Sequence, residues 1–441
     1  MPYPIITLFR SCYGLTRLWE FQAVATRETS HIKIDWQWDE QCHFNHGGDY
    51  GPSIIQSLSH DLSATQWANI GAQCIGNKAV FQVLGEGETL QDCVTNVGRL
   101  SDEEILQMIP NTWSLNIKHL GKMKGLSPNQ SRAQMEEFQE VLSALDQRPV
   151  DLNNPESELW LLKDCRRLED SKTSSKPPTV HYHWLLKRIK PTTKVSAQQL
   201  AAQSDIKKRA FISTTTMPAD RALLMANLAQ VQPNTTVLDP FCGSAGLLIA
   251  SALLGAKTVG GDIDTELLSH QEYPLCYPAS AGRPLRGTEA VSFTDSFTEL
   301  GLDSPTLLLG ANIKDSQAIN LYLEANQKQT YDAIVTDPPY GIRESQSQMN
   351  SFELLARLGE VADALLKDQG RLVLLQLIDG RLEQADQVKK QFQVNIEKVL
   401  SPYQIQLEAL SLERFNTRRL RATLVLVKRI QATTRKAKES K

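Results

Sequence analysis

The order of apolar and polar positions is clearest in the C-terminal half of the chain. MPADRALLMANLAQ (Met217–Gln230) repeats apolar residues at helical spacing, and AGLLIASALLGA is a helix pattern rich in small residues. SFELLARLGEVADALL is an amphipathic helix pattern. Between these lie short, nearly continuous apolar runs of the kind a buried strand requires: TTVLDPF, KTVGGDID, YDAIVT, GRLVLLQL and RATLVLVKR. Strand alternating with helix predicts a doubly wound α/β fold with a parallel sheet. Residues 271–330 interrupt the pattern with four prolines; a loop, a helix near 291–300 and a strand near Leu307–Gly310 are expected there.

The N-terminal half is less periodic. QWANIGAQCIGNKAVFQVL (66–84) and QSRAQMEEFQEVLSAL (130–145) read as helices, and WSLNIKHL and SELWLLKD as strands. This makes an α+β module in which no catalytic constellation is visible. SKTSSKPPT (Ser171–Thr179) has the composition of a linker. The expected organisation is a divergent N-terminal region (1–64), the α+β module (65–165), a basic linker (166–200), the α/β domain (201–430) and a basic tail (431–441). GRLVLLQLI (Gly370–Ile378) could be a central strand covered by the chain's own helices, or an edge strand that another chain must cover.

Charge changes this picture. The 441 residues carry a net charge of −3, but 166–190 carry +5 and 414–441 carry +9, leaving −17 for the remainder. Two basic stretches on an otherwise acidic chain are a footprint for a polyanion. Lys187, Arg188 and Lys190 in the first stretch, and Arg418 and Arg419 in the second, are candidate phosphate contacts; Tyr182 and Trp184 could stack on bases. Seven scattered cysteines without a C-x-x-C pair argue against a disulfide framework. Cys42, His43 and His46 read as a polar loop and not as a metal site. No apolar stretch is long enough to span a bilayer. The first ten residues lack the basic start of a secretory signal.

Two motifs carry chemistry. In VLDPFCGSAGLLIASA a strand runs through Asp239, Pro240 and Phe241 into a turn (Gly243, Ser244, Ala245, Gly246) and a helix. Such a turn lets backbone N–H groups approach a ligand at the helix start. It lacks G-x-G-x-x-G, so a pyrophosphate is not its natural ligand. Asp262 follows 23 residues after Asp239 on the next strand, where an acid binds ribose hydroxyls; Asp264 competes for that role. An acid before the glycines can pair with a cationic amine. Amine acid, turn and ribose acid suit S-adenosylmethionine better than a dinucleotide. The second motif is Asp337-Pro338-Pro339-Tyr340, 98 residues after Asp239 at the end of YDAIVT. Prolines donate no backbone N–H, so the turn is an acceptor site. An exocyclic base amine could give its hydrogens to Asp337 and the Pro338 carbonyl while Tyr340 stacks on the flipped base.

Together these segments resemble the eukaryotic catalytic subunit of the THUMP-domain tRNA guanine-N2 methyltransferases that modify guanosine 10. IKKRAFISTTTMPADRALLMANLA, LDPFCGSAGLLIASALLGAKTVGGDID, YDAIVTDPPYGIRES and NTRRLRATLVLVK carry the resemblance, which runs from about residue 65 to 430. It implies a Rossmann-like class I methyltransferase domain preceded by a THUMP-like module. It also implies tRNA as substrate, S-adenosylmethionine as cofactor, a small zinc-binding activator subunit as partner, and a cytoplasmic location. By the same likeness Thr215 and Thr216 border the methionine end of the cofactor, and Asn312 stands where the family has an acid for the adenine amine, with Asp315 as the alternative. Ala245 replaces a family glycine, which is expected to put a methyl group near the cofactor. Ser213 replaces another. Arg343, in the IRES extension, is a further RNA contact. Two other readings are an amino-methyltransferase acting on adenine or cytosine of DNA or rRNA, and a decayed RNA-binding scaffold.

Overall fold

The computed structural model describes residues 5–10, 16–29, 36–38, 54–57, 62–120, 143–165, 182–209, 211–212, 216–265, 294–339, 351–381 and 384–430. Cys42, His43, His46, the Ser171–Thr179 segment, Ser213, Thr215, Tyr340, Arg343 and most of 130–145 lie outside the described residues. The chain divides into two compact units: 1–13 with 31–194, and 14–30 with 195–441.

In chain order the first elements are β1 (Ile5–Phe9) and α1 (Thr16–Thr29), then β2 (Trp36–Trp38), β3 (Ile54–Ser57), α2 (Ala64–Ala72), β4 (Asn77–Gly87), α3 (Leu90–Val97), α4 (Asp102–Met108), β5 (Trp113–Leu120), β6 (Ser157–Asp164) and β7 (Tyr182–Ile189). The strands form one sheet ordered β2-β3-β1-β4-β7-β6-β5. Only β5 and β6 pair in parallel. The 66–84 segment is not one helix. A Ser63–Gln66 capping box starts α2, the helix ends before Gly76, and the β-branched and aromatic run Ala79–Leu84 is buried in a strand. Similar boxes at Thr89/Asp92 and Ser101/Glu104 start α3 and α4. Helix α3 packs so closely on β4 that a Cβ at Gly85 would come within 2.3 Å of Val97. Tyr182–Ile189, in the stretch expected as a linker, is the strand β7 between β4 and β6.

The second unit takes α1 from the N-terminal region. It continues with α5 (Ala197–Gln203), α6 (Ala219–Leu228), β8 (Thr236–Asp239), α7 (Gly246–Leu253), β9 (Lys257–Asp262), α8 (Asp295–Glu299), β10 (Thr306–Leu309), α9 (Ala318–Ala325), β11 (Tyr331–Thr336), α10 (Ser351–Leu365), β12 (Leu366–Asp379), α11 (Ala385–Leu400), β13 (Ile405–Arg414) and β14 (Arg419–Lys428). Its sheet order is β10-β9-β8-β11-β12-β14-β13. Strands β8 to β12 pair in parallel, as expected, but β13 and β14 form an antiparallel hairpin against β12. The sheet is therefore mixed. β12 lies between β11 and β14 with Leu372 to Leu375 fully buried, so the edge-strand alternative for Gly370–Ile378 is wrong: the chain's own strands cover both of its sides. Helix α1 packs on α6, where Asn227 donates to Glu20 at 2.8 Å and Arg27 donates to the Val231 carbonyl at 2.7 Å.

Candidate active site

The parallel register places three acids at the carboxyl edge of the second sheet. β8 ends at Asp239, which is level with Gly260; β9 ends at Asp262, which is level with Leu309 of β10; β11 runs beside β8 and leads into Asp337. Ligands of open α/β sheets bind at this edge.

Asp239 is 1% exposed. One of its oxygens accepts from the Thr336 hydroxyl at 2.7 Å and from the Phe241 N–H at 3.1 Å. Burial, helped by the nearby Asp262 and Asp337, pushes its carboxyl up to about 7 against these two hydrogen bonds. Thr336 escaped the sequence reading. Its only signal was a small hydroxyl residue at the strand end just before the Pro-Pro turn.

Asp262 is held toward the glycine turn. Its two oxygens accept the Gly243 N–H at 2.9 Å and the Asp264 N–H at 3.0 Å. Burial also raises its pKa. Asp264 thus supports Asp262 through its backbone. Gly243 has φ +48, and among the described residues a Cβ there would meet nothing within 4 Å, so the turn is open on that side. Ser244 is buried and shares a 2.7 Å hydrogen bond with Thr216. Pro240 is buried and Phe241 half-buried beside them.

Ala245 corrects the expectation attached to it. It adopts the left-handed conformation, φ 63, at the start of α7, which costs a non-glycine residue about 1–2 kcal/mol. Its methyl group is buried in the apolar cluster of Phe211, Cys242, Leu248, Ile249 and Phe297. It fills the core instead of intruding on the open side of the turn. Asn312 sits beyond β10, and its side-chain oxygen accepts the Lys314 N–H at 3.0 Å, forming a local turn. Asp315 is exposed, and its carbonyl accepts from Arg357 at 2.8 Å.

Pro338 is buried, with Asp337 and Pro339 half-buried beside it. The candidate phosphate contacts do not all present free charge. Lys187 donates to the Met108 carbonyl, Arg188 pairs with Glu158 at 3.0 Å, and Lys190 donates to the Pro155 carbonyl. Arg419 pairs with Asp379 at 3.3 Å, while Arg418 is exposed. The Tyr182 and Trp184 rings pack against each other at a tilt of 49°, 4.6 Å between centroids. Among the described residues no group of acids, histidines and cysteines could hold a metal, and no helix is long and apolar enough to cross a membrane.

The sheet order, the glycine turn after its first strand and the acid ending its second define a class I methyltransferase domain. Residues 207–402 match the family model described as RMKL-like, methyltransferase domain. The relatives are those to which the motifs pointed. The chain is 28% identical over 311 residues to the mouse tRNA (guanine(10)-N(2))-methyltransferase TRMT11, covering 68% of this chain and 61% of that protein. It is 25% identical over 299 residues to the tRNA (guanine(10)-N(2))-methyltransferase of Saccharomyces cerevisiae, covering 67% of this chain and 60% of that one. The match thus spans about three-fifths of the length of each relative. Among solved structures, TrmN from Thermus thermophilus aligns over 96% of this chain and 99% of its own at 15% identity, with a TM-score of 0.45.

Proposed function

We infer that this chain transfers a methyl group from S-adenosylmethionine to the exocyclic N2 amine of guanosine 10 in tRNA. The observation that carries the reading is the convergence of Asp239, the Gly243 turn, Asp262 and the Asp337-Pro338-Pro339 turn on one sheet edge. The relatives' names supply guanosine 10 and tRNA.

The residues fit the cofactor. The open turn at Gly243 leaves room beside the start of α7. Asp262, fixed by two backbone N–H groups, retains lone pairs for ribose hydroxyls. Asp239, held by Thr336, offers a carboxyl to a cationic amine. Thr215 and Thr216 border the methionine end in this reading. The cofactor supplies an activated methyl group, so positioning and electrostatics account for most of the rate. At the turn after β11, the Asp337 carboxylate and the Pro338 carbonyl accept the two amine hydrogens. This holds the nitrogen lone pair toward the cofactor, and Tyr340 stacks on the base. Asp337 then takes the proton that the amine loses.

The first unit serves as a THUMP-like RNA-binding module, assisted by Lys187, Arg188 and Lys190, and the second unit adds Arg343, Arg418 and Arg419. The resemblance supplies two further parts of the reading: a small zinc-binding activator subunit as partner, and action in the cytoplasm. The test is mass spectrometry of nucleosides from tRNA incubated with the chain and isotope-labelled S-adenosylmethionine. Labelled N2-methylguanosine at position 10 is the expected product. Label on adenine N6 or cytosine N4, or no label in any nucleoside, would overturn the reading.

A further inference from the structure

Gln376 is the one polar residue inside the apolar run of β12, and the site described above does not use it. It is 6% exposed. Its side-chain N–H donates to the Ser351 carbonyl at 3.3 Å, at the start of α10. Its Oε1 is buried and has no hydrogen-bond partner among the described residues. A buried amide oxygen without a partner is costly and calls for an occupant.

Its position on the sheet relates it to the turn after β11. β12 runs parallel to β11, with Leu374 level with Thr336. Asp337 and Pro338 therefore leave the sheet level with Leu375 and Gln376, so Gln376 is one strand away from the amine-accepting turn. A cavity of about 890 Å³ opens at the same end of β12. It is lined by Ser351, whose carbonyl holds the amide, by Phe352, and by Leu377 and Ile378, the two residues that follow Gln376; Gln376 itself lies behind this lining. The Ser351 bond also fixes which way the amide faces. Turning it over would set Oε1 against the Ser351 oxygen. Gln376 thus presents Oε1 as an acceptor, with one of its two amide N–H groups engaged by Ser351.

We propose that Gln376 Oε1 accepts the N1–H of the target guanine and so determines which base is methylated; this rests on the functional reading above. Guanine carries a ring N–H next to the carbon that bears its amine. Adenine N1 and cytosine N3, next to their own amine-bearing carbons, carry a lone pair and no hydrogen. An edge of three acceptors, Asp337, the Pro338 carbonyl and Gln376 Oε1, satisfies guanine and sets lone pair against lone pair with the other two bases. Sites built to hydrogen-bond a substrate group discriminate strongly against analogues that lack it.

The test compares two tRNAs, one with guanosine and one with 2-aminopurine riboside at position 10. 2-Aminopurine keeps the amine at C2 but has no N1–H. The full chain is used, co-expressed with its activator subunit if it purifies inactive alone. Wild type should favour guanosine by about 100-fold in kcat/KM. Gln376→Met should lose about 10- to 100-fold on guanosine and bring the two tRNAs within a fewfold of each other. S-adenosylmethionine affinity should change less than twofold, because its residues lie elsewhere. A wild-type ratio near one overturns the inference while leaving the functional reading intact, and it needs no variant to fold. A ratio unchanged by Gln376→Met overturns it too and makes the amide oxygen a structural or water-bound group. Failure of the wild type on both tRNAs would overturn the functional reading and this inference with it.

Discussion

Asp239 is where the site's electrostatics concentrate. Its folded pKa of about 7 lies above the ordinary carboxyl value of 3.8, because burial outweighs the Thr336 and Phe241 hydrogen bonds. A group that binds protons more tightly when folded lowers stability as pH rises from about 4 to 7. A cationic amine beside it would pull the pKa back down, so cofactor binding should release a proton and tighten as pH rises toward about 7. Calorimetry in two buffers of different ionisation enthalpy measures that proton. Release near pH 7 that disappears in Asp239→Asn is the expected outcome; release that persists in the variant would move the amine contact to another residue. The acids were legible in the sequence because a strand followed by a glycine turn fixes where the chain turns and which residue stands before it. Thr336 and Gln376 were not legible. Each looks like one more strand residue until a hydrogen bond joins the first to Asp239 and the register sets the second beside the Pro-Pro turn. Ala245 was misread because its sequence position says nothing about which side of the turn its methyl group faces.

At the scale of elements, the second unit's parallel strands and helices α6, α7 and α10 followed from periodicity, because each buries both faces of a strand or one stripe of a helix, whereas α9 was not read within the proline-interrupted stretch. The capping boxes of α2, α3 and α4, each a Ser or Thr followed three residues later by Gln, Asp or Glu, went unread, and α3 and α4 with them. The β13–β14 hairpin was only half legible. RATLVLVKR reads as a strand, but its direction depends on a pairing partner distant in sequence. The same holds for β12, whose central place depends on β14. Helix α1 was missed because its anchoring is tertiary: Phe21 is fully buried and Glu20 bonds Asn227, more than two hundred residues away. Phe21→Ala should destabilise the second unit by about 3–5 kcal/mol. Chemical denaturation followed by circular dichroism measures the loss, and a change below about 1 kcal/mol would mean that α1 contributes little to that unit.

At the scale of the whole molecule, RNA binding and partner binding are proposals that rest on charge and on the resemblance. RNA affinity should fall linearly with log salt. Lys187, Arg188 and Lys190 have internal partners, so neutralising all three should shallow the slope by about 1–2, less than three free contacts would give. Filter binding across a salt series reads this directly, and an unchanged slope would place the footprint on Arg418 and Arg419. The partner reading now rests on the resemblance alone, since β12 is covered by the chain's own strands. Co-expression with the activator subunit should raise yield and activity over the chain purified alone. A soluble, monomeric and fully active single chain would remove the partner and leave the methyltransferase reading standing.

The central claim is a division of labour along one sheet edge, with Asp239 and Asp262 serving the cofactor and Asp337 serving the base amine. Single-turnover methyl transfer to tRNA by Asp337→Ala, at cofactor concentrations shown by calorimetry to saturate it, tests this most directly. The account predicts cofactor affinity close to wild type and a methyl-transfer rate lower by at least about 100-fold, the scale of losing a positioned proton acceptor. Transfer within tenfold of wild type, or a loss of cofactor affinity large enough to explain the defect, would contradict it.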